Sequence, residues 1–343
     1  MTRVEILVSL LPGFLLAAGS EPLLAHRRRD LPSYRRHWRI FATLAISSLG
    51  ALLMMGSGQM GQGRWGTWLL VILGSAVGLA VSNLGRLRSH NLVAWGWHRG
   101  SLKRPDPARP LILVADPHWG DELVGLQAAT RVHPDADWLF LGDVFDVWVG
   151  LPGMTSDAQR SFLSWVRERR RAGRWVGLWM GNREFFLDSH AEIFDLMGEG
   201  VACALEDENL AFEHGDLINP RDWQYRLWNR ISRSGPVWLL FRLMPGKLAA
   251  FIAAKLEKQM RTTNRAYKLV FPREAFRAAA KLHAAGTFIT GHFHSHEVEG
   301  NGIALPWAFE GAFMMWREGR VESLTSPAKK EEEDPTFLMD QRP

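Results

Sequence analysis

The sequence is poor in cysteine and in lysine, and each shortage excludes something. Its 343 residues include one cysteine, Cys203. That rules out an intramolecular disulfide framework and a thiolate-rich zinc site, and it fits a reducing compartment. Lysine numbers 8 against 33 arginines, so the formal charge of +5 rests on guanidinium groups. Many of these arginines precede residue 110 and flank apolar runs, which is the placement of a membrane surface, so membrane lipids are expected partners and nucleic acid is not. Hydrophobic residues at 47% and charged residues at 22% exclude a disordered chain and leave ample material for a core. No internal repeat is present.

Charge is missing altogether from two stretches. Residues 40–56 and 67–83 hold no charged side chain and are joined by a glycine-rich segment with Arg64 as its sole charge. Each approaches the ~17–25 apolar residues that cross a bilayer as a helix. Glycines at 50, 56, 74 and 78 suit a membrane helix better than an isolated soluble one. Arg27, Arg28, Arg29, Arg35, Arg36 and Arg39 precede the first stretch, and Arg86, Arg88, Arg99, Lys103 and Arg104 follow the second. The positive-inside rule therefore predicts a transmembrane hairpin with both outer flanks cytoplasmic. A buried soluble hairpin is the competing interpretation, and it leaves the charge asymmetry unaccounted for. A third apolar run, residues 6–18, resembles a signal-peptide core, yet Arg27–Arg29 oppose translocation of the chain beyond them, so a further span or an interfacial helix is the other option.

Pro105, Pro107 and Pro110 mark a linker, after which the texture changes. Residues 1–104 are thus expected to be a membrane region, 105–326 a soluble domain, and 327–343 a disordered charged tail. Five strand-length apolar runs come after the linker: Leu111–Ala115, Trp138–Leu141, Trp175–Met180, Leu210–Glu213 and Thr287–Thr290. Helical periodicity over Ser156–Arg171 and Arg273–Ala285 separates some of them, which predicts a layered α/β fold. Every run ends directly in polar residues: Asp116 and His118; Asp143; Asn182, Arg183 and Glu184; His214 and Asp216; His292 and His294. Ligands gather at the carboxyl ends of strands in such folds.

Asp116, His118, Asp143, Asn182, His214, His292 and His294 form a mixed oxygen and nitrogen set without thiolate, suited to two divalent first-row metals with one carboxylate between them. Residues i and i+2 share a face where strand geometry persists, which would aim Asp116 with His118 and His292 with His294. Glycines before Asp143, Asn182 and His292 permit close backbone approach. A lone histidine is more often a hydrogen-bonded core or surface residue, and a lone Gly-Asp is usually a turn. Five such motifs, each placed after an apolar run, are what carry the metal hypothesis.

In these blocks the sequence resembles the calcineurin-like metallophosphoesterases, with Asp-x-His at 116–118, Gly-Asp at 142–143, Gly-Asn-Arg at 181–183, His214 and Gly-His-x-His at 291–294. More narrowly it is similar to the bacterial UDP-2,3-diacylglucosamine pyrophosphatases of lipid A synthesis, through Leu141-Gly-Asp-Val-Phe-Asp-Val-Trp148, Gly-Asn-Arg in place of Gly-Asn-His, and His214-Gly-Asp216. The resemblance implies a layered β-sandwich flanked by helices, with a helical lid inserted near 220–268. It implies Mn²⁺ as the metal, one ion on Asp116, His118, Asp143 and His294, and a second on Asp143, Asn182, His214 and His292. It also implies hydrolysis of a lipid-linked nucleotide sugar at the α-phosphorus, releasing UMP and 2,3-diacylglucosamine 1-phosphate at the cytoplasmic face of the bacterial inner membrane, with no obligatory protein partner. Asp143, Asn182 and Arg183 are the residues expected to take part in catalysis. Arg183 would place a permanent positive fork on the phosphate, or else form a structural salt bridge. Near the end of the insertion, Arg261, Asn264 and Lys268 are the nearest matches to substrate-touching positions. The insertion's aromatic and basic side chains would line an acyl pocket or an interfacial surface. Glu184 and Pro117 depart from the resembled pattern without removing a ligand. The fused membrane segment also departs from it, and it keeps open an anchored enzyme acting on another phosphodiester or phosphomonoester. A scaffold with a vestigial site would lack ligands, and none is missing.

Overall fold

The computed structural model describes residues 96–324, apart from 121–122, 201, 206, 245–247, 249–250, 253–254, 256–270, 284–285 and 309–311. The expected hairpin at 40–56 and 67–83, the run 6–18, the tail, and Arg261, Asn264 and Lys268 lie outside the described residues. Among the described residues no helix is long and apolar enough to cross a membrane.

Strands are numbered in chain order. One sheet has seven strands in the order β1 (Gly96–Gly100), β7 (Leu196–Gly200), β5 (Val176–Met180), β3 (Asp137–Phe140), β2 (Leu111–Val114), β13 (Phe313–Arg317), β14 (Arg320–Leu324). A second has five, in the order β11 (Glu297–Glu299), β12 (Gly302–Ala304), β10 (Thr287–Thr290), β9 (Leu210–Glu213), β8 (Cys203–Leu205). A short parallel pair joins β4 (Trp148–Val149) to β6 (Glu184–Phe185). Strands β2, β3, β5 and β7 run parallel, as do β9, β10 and β12. All five apolar runs form strands within a residue of the expected limits, because a continuous apolar run suits a strand buried on both faces.

Alternation along these strands builds the layers. Leu111, Leu113, Leu139, Leu210, Phe212, Met314 and Trp316 are buried in one cluster shared by the two large sheets. The opposite face of β3 turns Trp138 and Phe140 toward helix α2 (Asp157–Arg171), where Trp138 meets Trp165 at 5.2 Å and Phe140 meets Phe162 at 5.0 Å, both edge to face. Aromatic pairs of this kind add about 0.5–1.5 kcal/mol each beyond their burial. The outer face of the second sheet packs Phe288 and Ala304 against Phe276, Ala279 and Ala280 of α5 (Arg273–Lys281). Helix α1 (Val124–Val132) precedes β3. Helix α2 starts at Ser156, whose hydroxyl and Gln159 make a reciprocal capping box. Helix α5 stops at Lys281, short of the expected Ala285.

Residues 220–243 belong to a separate compact unit. It contains α3 (Trp223–Ser232), capped by Asp222 accepting from the Tyr225 amide, and α4 (Gly235–Leu243) with Pro236 in its first turn. Trp228, Ile231, Leu240 and Leu243 are exposed there, while Arg226, Arg230 and Arg233 are buried.

The linker after the arginine-flanked region is held by an internal ion cluster. Arg104 is 1% exposed; it donates to both carboxylate oxygens of Glu208, to Asp137 Oδ2 at 3.0 Å and to the carbonyls of Pro107 and Arg109. Arg104→Ala would strand two buried carboxylates, so it is expected to destabilise the domain by about 3–5 kcal/mol. A thermal melt checks this; a Tm within a degree of the parent would show that the cluster contributes nothing.

Candidate metal centre

Parallel strands deliver their carboxyl ends to one edge, and the seven sequence-predicted ligands collect there. Asp116 and His118 come after β2, Asp143 after β3 and Asn182 after β5; His214 comes after β9, and His292 and His294 after β10. The way they converge differs from expectation. Strand pleat does not carry past Val114 or Thr290, so it does not align the i, i+2 pairs. Instead Asp116, His118, Asp143, His292 and His294 all have left-handed backbones, with φ of 50°, 44°, 50°, 66° and 54°. Such a conformation costs on the order of 1–3 kcal/mol per non-glycine residue and persists only where the surroundings impose it.

The imposing contacts are visible. Backbone N–H groups of Asp116, His118 and Trp119 donate to the carbonyls of Gly142, Asp143 and Val144 at 2.9–3.2 Å. Pro117 falls between two of these donors, at a position where no N–H is used, so proline is tolerated there. Gly142 has φ 84°, and a Cβ there would lie 2.4 Å from the Gly181 nitrogen. At Gly181 a Cβ would lie 2.5 Å from Asp143 Oδ1 and 2.7 Å from His214 Cε1. The glycines therefore let the ligand loops approach one another.

Two overlapping sets of side chains result. Asp116, His118 and His294 present ligand atoms within 4.8 Å of one another, as do Asp116, Asp143 and His214. His118 Nε2 lies 3.3 Å from His294 Nε2, which is itself 3.3 Å from Asp116 Oδ1. Asp143 turns its oxygens to different histidines, Oδ2 to His118 Nε2 at 3.8 Å and Oδ1 to His214 Nε2 at 3.6 Å. Asn182 Oδ1 stands 3.1 Å from both His214 Nε2 and His292 Nδ1.

The two buried histidines differ in protonation. His214 Nδ1 donates to the carbonyl of Leu141 at 2.7 Å, so Nε2 is the ring nitrogen that faces the cluster and would give up its proton to a bound cation. Burial alone would lower the pKa of His214, but Asp143, Asp116, Asp216 and that carbonyl raise it to about 8. Burial lowers His118 to about 4 against the pull of Asp143 and Asp116, so its imidazole is neutral at neutral pH. Asp116, Asp143 and Glu184 are all fully buried. Asp143 Oδ2 and His118 Nδ1 are buried without a hydrogen bond among the described residues. A mixed oxygen and nitrogen set around crowded buried carboxylates fits divalent cations.

Arg183 is 2% exposed and faces the same group. Its backbone N–H donates to Asp143 Oδ1 at 3.0 Å, Nη1 donates to the Asp146 carbonyl at 3.0 Å, and Nε lies 3.4 Å from Asp143 Oδ2.

Glu184, expected at a strand end but not among the candidate ligands, organises the loops. Its Oε2 accepts from the amides of Asp143 and Gly181 at 2.9 and 2.8 Å, and Oε1 from Val144 at 2.7 Å. Burial and the neighbouring Asp143 push its pKa up to about 7. A carboxylate three residues after a strand-ending glycine was the available signal. Glu184→Ala would leave three buried N–H groups unpaired at ~1–3 kcal/mol each, so a destabilisation of at least about 3 kcal/mol is expected. Urea unfolding measures it, and a change below about 1 kcal/mol would contradict this role.

No family model matches the chain. Several curated proteins do. A "UDP-2,3-diacylglucosamine hydrolase" of Pseudomonas fluorescens (strain SBW25) is 27% identical over 197 residues, covering 54% of this chain and 78% of that protein. One of Ectopseudomonas mendocina (strain ymp) is 28% identical over 208 residues, 56% of this chain and 85% of that protein. One of Azotobacter vinelandii is 29% identical over 209 residues, with 56% and 85% covered. The similarity accords with the family resemblance carried by the five motifs, and it leaves nearly half of this chain unmatched.

Proposed function

We propose that this chain hydrolyses the pyrophosphate bond of UDP-2,3-diacylglucosamine, releasing UMP and 2,3-diacylglucosamine 1-phosphate, with two divalent cations, Mn²⁺, as cofactors. The observation that carries this is the convergence of Asp116, His118, Asp143, Asn182, His214, His292 and His294 from five separate strand ends, in a chain whose relatives act on that substrate by name.

Asp116, His118, Asp143 and His294 would hold one cation, and Asp143, Asn182, His214 and His292 the other. When bound, such a pair lowers the pKa of water and neutralises charge building on phosphoryl oxygens. The chain's own residues do the rest. Leu141 fixes the His214 tautomer, and the amides bound by Glu184 hold the 142–144 and 181–184 loops at one spacing. Arg183 balances the Asp143 charge and supplies a positive group beside the reacting phosphate.

A lipid-linked substrate accords with the arginine-flanked apolar segments before residue 105 and with the apolar side chains exposed on α3 and α4. They support a catalytic domain at the cytoplasmic face of the inner membrane. Arg261, Asn264 and Lys268 remain our candidates for substrate contact.

The test is to incubate detergent-purified protein with UDP-2,3-diacylglucosamine and MnCl₂ and to follow UMP by mass spectrometry. UMP formed with Mn²⁺ and suppressed by a chelator is expected. UMP absent while another phosphodiester is cleaved would redirect the substrate assignment.

A further inference from the structure

We propose that Trp307 is a positioning residue for the cation on Asp116, His118 and His294, an inference that rests on the metal-dependent reading above. Trp307 lies in the segment between β12 and β13. That segment is pinned at two points: the Leu305 amide donates to the Thr290 carbonyl at 2.8 Å, and the Ala308 amide to the Ala115 carbonyl at 3.0 Å. Thr290 ends β10 and Ala115 comes directly after β2, so the anchors are the strand ends that deliver His294 and His118. Leu305 and Ala308 are buried, while Trp307 between them is 36% exposed, at the rim of the centre.

Its indole lies flat on the His294 imidazole, with ring centroids 5.1 Å apart and planes at 9°. It meets the His118 ring edge-on at 6.3 Å and 73°, and the two imidazoles meet each other at 5.2 Å and 64°. Turning the His294 ring out of its plane would drive its edge into the indole. A ligand histidine must keep its lone pair along one direction, and the partners that fix its orientation are worth about 10–100-fold in metal affinity. A metal-bound imidazole is positively polarised, so the electron-rich indole face favours the bound form over the free one. Trp307 thus acts on binding at one of the two sites, beyond any part in packing.

The experiment is a MnCl₂ titration of the full-length chain in detergent, with free Mn²⁺ followed by electron paramagnetic resonance. Trp307→Leu keeps apolar bulk without a ring, and Trp307→Phe keeps a stacking face. The leucine variant should weaken one class of Mn²⁺ sites roughly ten-fold and leave the other unchanged, and the phenylalanine variant should bind within about three-fold of the parent. The Tm of metal-free protein should be the same in all three. Should leucine prevent folding, Trp307→Met replaces it. Parent-like affinity in the leucine variant would overturn the proposal. So would equal weakening of both classes, or a phenylalanine variant as weak as leucine. Parent protein that takes up no Mn²⁺ would instead overturn the metal-dependent reading itself, an outcome visible before any variant is made.

Discussion

Asp143→Ala is expected to strip metal from both halves of the centre at once and to lower turnover by roughly 10³-fold or more, beyond the ~10–100-fold typical when only an outer partner of a ligand is lost. The reason is positional. The carboxylate turns one oxygen toward His118 and the other toward His214, at 3.8 and 3.6 Å, so a single side chain serves both sets. Asn182→Ala should cost less, because Asn182 faces only His214 and His292. Asp143→Asn is the matched control: it keeps the shape and an oxygen for the Arg183 amide while removing the charge. Metal content after dialysis, measured with kcat on the same preparation, gives the answer. An alanine variant holding two ions per chain with normal turnover would show that Asp143 does not join the sites.

For Arg183→Ala, kcat should fall by roughly 10²–10³, the loss expected when one preorganised charged donor is removed from a developing negative charge. The guanidinium is buried and close to Asp143, so in the metal-free protein the same substitution removes a positive partner from a buried carboxylate and should cost about 3–5 kcal/mol of stability. The two effects separate experimentally. Turnover is expressed per folded, metal-loaded molecule, and Tm is measured beside it. Arg183→Lys should recover most of the stability and only part of the rate, because a point charge cannot reproduce a planar fork. A variant that melts early yet turns over at the parent rate once folded would make Arg183 purely structural. Metal content should hardly change, since arginine is no ligand.

Much of this was legible in the chain because it depends on short-range patterns. A run such as Leu210–Glu213 is apolar enough to be buried on both faces, and helical periodicity over Ser156–Arg171 matches α2. The seven candidate donors and their order along the chain could be read directly, since metal chemistry restricts the donor types and each comes after an apolar run. Strands other than β2, β3, β5, β9 and β10 were not anticipated, β11, β12 and β14 among them. Glu297–Glu299, Gly302–Ala304 and Arg320–Leu324 are short and partly polar, and they form strands because a neighbour supplies the hydrogen-bond ladder.

What the sequence determined by itself is therefore the set of candidate donor groups and the α/β succession that spaces them, both set by local residue chemistry. What the tertiary structure decided is how those groups meet. The left-handed turns at Asp116, His118, Asp143, His292 and His294 are strained in isolation; cross-loop bonds to Gly142, Asp143 and Val144 hold the loops of the first three together, and the His292 amide is held by Asp116 Oδ2. Glu184 under the loops and Trp307 on His294 are likewise products of packing. Glu184 acts on a loop 40 and 41 residues away in the chain and Trp307 on a ring from another strand end, and contacts at such separations are set by the fold and not by any local pattern.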